Sequence, residues 1–147
     1  MSSTPLMFRI LNPVMTMILK SPLHKMVSGG IMLISFNGVK SGRVYSTPVS
    51  YFRENSTVYC FTHAKWWRNL ANGADVNVRL KGQDYAGYAI AEAEDTAQKT
   101  VALRKMVKVR PQEAGFYNIT FDSDGKPKDE ELLKAAQEAV LIRISLN

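Results

Sequence analysis

Ile31-Met32-Leu33-Ile34-Ser35-Phe36-Asn37-Gly38 marks the point where the chain turns from helical to extended patterning. Six aliphatic, hydroxylic and aromatic residues closed by an Asn-Gly pair predict a strand and a tight turn. Downstream, Arg43 to Phe52 reads as a second strand. Pro48 lies inside it and has no amide hydrogen, so that part of the strand is expected at an edge or a bulge. Glu54-Asn55-Ser56 turns the chain into a third strand, Thr57 to Thr62. A short helix at about 65–72 follows, ending near Asn72-Gly73. Val76, Val78 and Leu80 alternate with Asn77 and Arg79 in a fourth strand, and Lys81-Gly82 turns it into a fifth, Tyr85 to Glu92. Residues 95–109 predict a helix with Val101, Leu103, Met106 and Val107 as its apolar positions, stopped by Pro111. A last helix at 129–138 and a last strand, Val140 to Leu146, complete the pattern. Six strands joined mostly by short turns, with helices grouped apart, imply an α+β protein built on an antiparallel sheet or barrel.

Upstream of Ile31 the pattern is helical. Asn12-Pro13 and Ser21-Pro22 each read as a cap followed by proline at the first helical position. Helices are expected at about 6–20, kinked or restarted at Pro13, and at about 22–27. On the first, Arg9, Asn12, Thr16 and Lys20 form one narrow polar stripe on an apolar cylinder. Such a helix needs burial on most sides, against the core, a second subunit or a membrane surface. The apolar run between Arg9 and Lys20 is too short to span a bilayer, and no small-x-small cleavage site follows it.

With 147 residues, the chain is expected to form one domain, 1–147, with residues 1–28 as an apolar helical segment. Its 46% hydrophobic and 22% charged content is that of a folded globule rather than a disordered chain. Cys60 is the single cysteine, which excludes an intramolecular disulfide and a cysteine-built zinc cluster. The expected location is the cytoplasm, with membrane association as the alternative. The net charge of +6 is unevenly placed. Arg9, Lys20, Lys25, Lys40, Arg43 and Arg53 precede the first acidic residue, Glu54, and the remainder balances. Either a solvated basic face or an anionic partner accounts for that asymmetry.

No H-E-x-x-H, G-x-S-x-G, Walker or G-x-G-x-x-G sequence is present, and His24 and His63 have no neighbouring ligand pattern. No metal site is expected. Cys60, in mid-strand, reads as a packed residue. Nucleic acid is not an expected partner, since no RNA-binding signature accompanies the modest positive charge. Two local features carry chemistry. Asn37-Gly38-Val39-Lys40-Ser41-Gly42-Arg43 places two glycines, a serine and two cations between strands. It reads either as a polar hairpin loop or as an anion nest of converging N–H groups. Lys65-Trp66-Trp67-Arg68-Asn69-Leu70 sets two tryptophans about 100° apart on a helical turn, so one can enter the core while the other lines a groove. Aromatic rings flanked by cations suit a flat, anionic, conjugated ligand.

A strand ending in Lys-Ser-Gly-Arg, then Thr47-Pro48-Val49 on the next strand, then Lys-Trp-Trp-Arg-Asn-Leu after a third: this order resembles the deazaflavin-dependent nitroreductase family. These are small split β-barrel oxidoreductases related to the flavin-mononucleotide-binding barrels. The resemblance covers about residues 31–92 and the apolar N-terminal helix. It implies a split β-barrel of about six mainly antiparallel strands with flanking helices, and coenzyme F-420 as cofactor, with flavin mononucleotide as the alternative. By position, Lys40, Ser41 and Gly42, with Arg43 beside them, fall on the family's phosphate-binding turn. Thr47, Pro48 and Val49 fall on the strand that meets the deazaflavin ring. Trp66 falls on the aromatic position near the ring and Asn69 on the helix asparagine, with His63 and Lys65 in the preceding loop. Tyr45 stands where members usually have arginine.

The resemblance implies hydride transfer to a small organic acceptor such as a quinone, an enone or a nitroaromatic. Ser50, Tyr51 and Tyr117 are the candidates for a proton or hydrogen bond to the substrate. The partners implied are a small-molecule cofactor and substrate and a second copy of the chain, with peripheral membrane contact through the N-terminal helix as an alternative to the dimer. The competing reading is a non-catalytic split barrel holding a lipid, a tetrapyrrole or another apolar ligand.

Overall fold

Alternation along six strands sorts the side chains into two cores. A computed structural model describes residues 30–147, so the helices expected at about 6–20 and 22–27 lie outside the described residues. The strands are β1 (Ile31–Asn37), β2 (Val44–Glu54), β3 (Thr57–Thr62), β4 (Ala74–Leu80), β5 (Gln83–Glu92) and β6 (Val140–Leu146). They close into a barrel in the order β1-β2-β3-β6-β5-β4, and every neighbouring pair is antiparallel. Two helices, α1 (Thr96–Val109) and α2 (Asp129–Glu138), flank it, as do 3-10 segments at Lys65–Leu70 and Pro111–Tyr117. This is the α+β barrel that the strand pattern implied.

One core fills the barrel. Met32, Ile34 and Phe36 of β1 meet Val76, Val78, Cys60, Ile142 and Ile144 there. Cys60 is fully buried, as its mid-strand position suggested, and burial raises its thiol pKa well above the usual range. The other core lies outside the barrel. Phe52, Phe61 and Leu141 alternate outward and pack under Leu103 and Met106 of α1 and Leu132 of α2. Each such large side chain contributes roughly 1.5–3 kcal/mol on full burial. Val101 does not join this core and is 58% exposed. At 100° per residue it lies 200° from Leu103, on the far side of the helix. Position 99 falls on the buried face instead. Lys99 donates from Nζ to the carbonyls of Ala93 (2.7 Å) and Ala139 (3.0 Å), the latter closing the C-terminus of α2. A cation there complements the helix dipole, while desolvation lowers the ammonium's pKa.

β2 serves two neighbours. Its residues 44–50 pair with β1 and residues 51–54 pair with β3. Pro48 lies in the half that, among the described residues, has a partner on one side only, where a residue lacking N–H is tolerated, as expected. Several element boundaries differ from the sequence reading, and β4 begins at Ala74, two residues before Val76. β2 starts at Val44 and runs to Glu54, β5 starts at Gln83, and the turn expected as a helix at 65–72 is a 3-10 segment ending at Leu70.

Candidate functional site

A cleft of about 600 Å³ opens where the β1–β2 turn faces the 3-10 segment after β3. The turn is tightly self-bonded. Gly38 N–H donates to Arg43 O, Gly42 N–H donates to Gly38 O, and Arg43 N–H donates to Ser41 Oγ. Gly42 has a φ of +71°, which favours glycine, and a Cβ at Gly38 would sit 2.6 Å from the Tyr45 ring. Asn69 braces the two walls. Its Oδ1 accepts from Val39 N–H (3.0 Å), and its Nδ2 donates to Trp66 O (3.0 Å). Four amides of the turn are therefore committed, and those of Lys40 and Ser41 have no partner among the described residues. Of the two readings of this turn, the hairpin loop accounts for the four bonded amides, and an anion would meet the Lys40 and Ser41 amides, the Ser41 hydroxyl and the cations.

The opposite wall is aromatic. Phe36 stacks on Trp66 (centroids 5.4 Å apart, planes at 24°) and on Tyr45 (6.2 Å, 27°). The stack presents a flat, half-buried surface, and Trp67 packs on the barrel core without lining the cleft. Lys40, Lys65 and Arg68 line the same cleft, and no carboxylate does. None of the three ion pairs among the described residues involves these cations. Their charge remains available to an anion.

The cleft gathers six of the residues singled out from sequence: Lys40, Ser41, Thr47, Lys65, Trp66 and Asn69. Gly42 and Arg43 shape the turn without lining the cleft. Val49 points into the barrel, and Pro48 is half-buried beside the cleft residue Thr47. His63 faces another cavity, of about 530 Å³, with the rings of Phe116 (6.1 Å) and Tyr117 (6.0 Å) and with Glu131, Lys134 and Glu138. Burial raises the Tyr117 phenol's pKa, so it stays protonated at neutral pH. Tyr51 turns inward at the far end of the barrel, and Ser50 alternates outward from β2. None of the three catalytic candidates lines the Trp66 cleft.

Phe36, Tyr45, Val39 and Arg68 line it without having been singled out as ligands. Phe36 and Tyr45 are directly paired across β1 and β2, so the strand register was the signal that brings them together. Among the described residues no cluster of three or more His, Cys, Asp or Glu side chains could hold a metal, and no helix is long and apolar enough to cross a membrane.

No protein-family model and no curated protein matches the sequence. Solved structures do share the fold. An F-420-H2-dependent reductase matches with a TM-score of 0.51 at 16% identity, over 80% of this chain and 94% of that one. HutZ, the heme storage protein of Vibrio cholerae, matches with a TM-score of 0.54 at 11% identity, over 93% and 90%. A protein solved as a domain-swapped dimer matches with a TM-score of 0.52 at 13% identity, over 88% and 98%.

Proposed function

We propose that this protein is an oxidoreductase that binds a deazaflavin- or flavin-type cofactor in the Trp66 cleft and serves hydride transfer to a small organic acceptor. The observation that carries this reading is a cleft with one aromatic wall, three cations and no carboxylate. Such a site fits a planar conjugated ring bearing phosphate or other anionic groups. The residues that would hold it are Phe36, Trp66 and Tyr45 against the ring, and Lys40, Lys65, Arg68 and Ser41 against its anions. When bound, the cofactor supplies the hydride chemistry, and the protein binds, orients and excludes water. Ser41, Tyr45, Ser46 and Thr47 bring hydroxyls to the cleft, and Ser46 is bonded to Ser35 (2.9 Å), so Ser41, Tyr45 and Thr47 replace Ser50, Tyr51 and Tyr117 as hydrogen-bond partners for cofactor or acceptor. A quinone, an enone or a nitroaromatic is the acceptor class of this proposal.

The likeness to a heme storage protein raises haem as an occupant. Among the described residues no histidine, cysteine or methionine lines the cleft, and Tyr45 is the one lining side chain of a type that ligates haem iron; the three cations and the aromatic wall support the flavin-type ring. For assembly we infer a homodimer, supported by the likeness to a domain-swapped dimer. Light scattering tests it, and a monomer at all concentrations refutes it.

The deciding experiment is a titration of the full chain with oxidised coenzyme F-420, flavin mononucleotide and haem, followed by tryptophan fluorescence. Saturable quenching by either of the first two is expected, and Trp66→Ala should weaken that binding about 2- to 13-fold from the stacking energy alone. Tight binding of haem with no response to the other two overturns the proposal.

A further inference from the structure

A second cleft, of about 360 Å³, opens at the opposite end of the barrel. β1 runs from Ile31 near this end to Phe36 at the Trp66 cleft, and Leu33 pairs with Arg79, which places the Lys81-Gly82 hairpin tip beyond the start of β1. Arg53, Lys81 and Arg110 line this cleft with Tyr51, Gln83 and Tyr85, and no carboxylate does. We propose that it binds the phosphoryl group of a small molecule.

Two guanidinium groups are held in place before any ligand arrives. Arg53 lies over the Tyr85 ring (5.3 Å) with Nε donating to Asn55 O (2.7 Å). Arg110 lies over the Tyr51 ring (5.3 Å) with Nε donating to Tyr51 O (2.6 Å). Groups fixed in this way lose little entropy on binding. The terminal nitrogens of Arg53 and the Lys81 ammonium have no partner among the described residues. Gln83 accepts the Tyr85 O–H at Oε1, which leaves its amide N–H groups to donate. The neighbouring carboxylates are engaged elsewhere. Glu54 pairs with Lys105 (3.1 Å), and Asp84 holds Arg79 through two 2.9 Å bonds.

Lys81 also has a φ of +49°, a conformation that Asn, Asp and Gly adopt more readily at a hairpin tip. The backbone thus holds a cation at the mouth of the cleft against its own preference. Forked guanidinium donors match the oxygens of a phosphoryl group, and a dianion offsets more of three positive charges than a carboxylate does. The inference is independent of what fills the Trp66 cleft.

The test is an amide-resolved NMR titration of the full chain with inorganic phosphate, ribose 5-phosphate and acetate. Saturable shifts at Gly82 and Gln83 are expected with both phosphates and with acetate only weakly. Arg53→Gln and Lys81→Gln should each weaken phosphate binding about tenfold or more at these amides. Lys40→Ala, at the other cleft, should leave them unchanged while removing any shift at the β1–β2 turn. The exposed-loop variant Lys126→Gln reports the effect of net charge alone. Retained amide dispersion in Arg53→Lys, which keeps the charge and loses the fork, separates recognition from folding. No saturable shift at Gly82 and Gln83, equal binding of acetate, or equal weakening by Lys126→Gln overturns the proposal.

Discussion

Asn69→Ala removes a side chain that joins the β1–β2 turn to the 3-10 segment across the Trp66 cleft. The wild-type amide makes two hydrogen bonds, accepting from Val39 N–H and donating to Trp66 O, each at 3.0 Å. A net hydrogen bond is worth about 0.5–1.5 kcal/mol. The Val39 bond is exposed, so water replaces part of it, and the sum should fall near 1–1.5 kcal/mol. Urea unfolding at 25 °C reads that loss as a lower midpoint with an unchanged slope. Amide exchange reads the mechanism, because Val39 should lose protection while the barrel strands keep theirs. Asn69→Asp separates bracing from charge. It can still accept from Val39 N–H, yet it places a carboxylate among Lys40, Lys65 and Arg68. Val39 protection should return while affinity for an anionic cofactor stays reduced. Unchanged Val39 exchange in Asn69→Ala, with stability within about 0.5 kcal/mol of wild type, refutes the bracing role.

Lys40→Ala should weaken cofactor binding about 10- to 150-fold, the worth of a charge-assisted hydrogen bond, with the loss shrinking as salt rises. Equal low-salt affinities of variant and wild type, measured by fluorescence titration, would count against the turn as an anion site. Lys99→Met fills similar volume but leaves the Ala93 and Ala139 carbonyls without their donor. It should destabilise by about 1–3 kcal/mol in urea unfolding, and a neutral result would show that the carbonyls find water instead. At alkaline pH the buried Cys60 thiol resists ionisation while the unfolded chain's thiol does not. Its contribution is complete below the ordinary thiol pKa of about 8.5 and is lost above it, by up to about 1.4 kcal/mol per pH unit. Cys60→Ala should flatten that part of the stability–pH curve, and an unaltered slope would exclude the thiol as its source.

Local patterning in the chain was enough to place most elements. α2 and β6 fall at 129–138 and 140–146 as the pattern implied, because turn residues and a change of period bound them on both sides. The Lys40-Ser41 turn and the Trp66 segment were also recognisable, since glycines, cations and adjacent tryptophans are distinctive in short windows. Period and composition say which face of an element a residue occupies, but not which end of the barrel it reaches. Tyr51 shares the inward face of β2 with Tyr45, yet six residues of strand carry it about 20 Å along the chain, to the Lys81 cleft instead of the Trp66 cleft. His63 stands two residues from Lys65 and faces a different cavity, since it follows the end of β3 at Thr62 while Lys65 opens the 3-10 segment. Closure itself rests on β3 pairing with β6, Thr62 opposite Val140, across 78 positions of sequence. Contacts that distant leave no mark in any local window, so the barrel order, the bracing by Asn69 and the separation of two clefts follow only from the closed sheet.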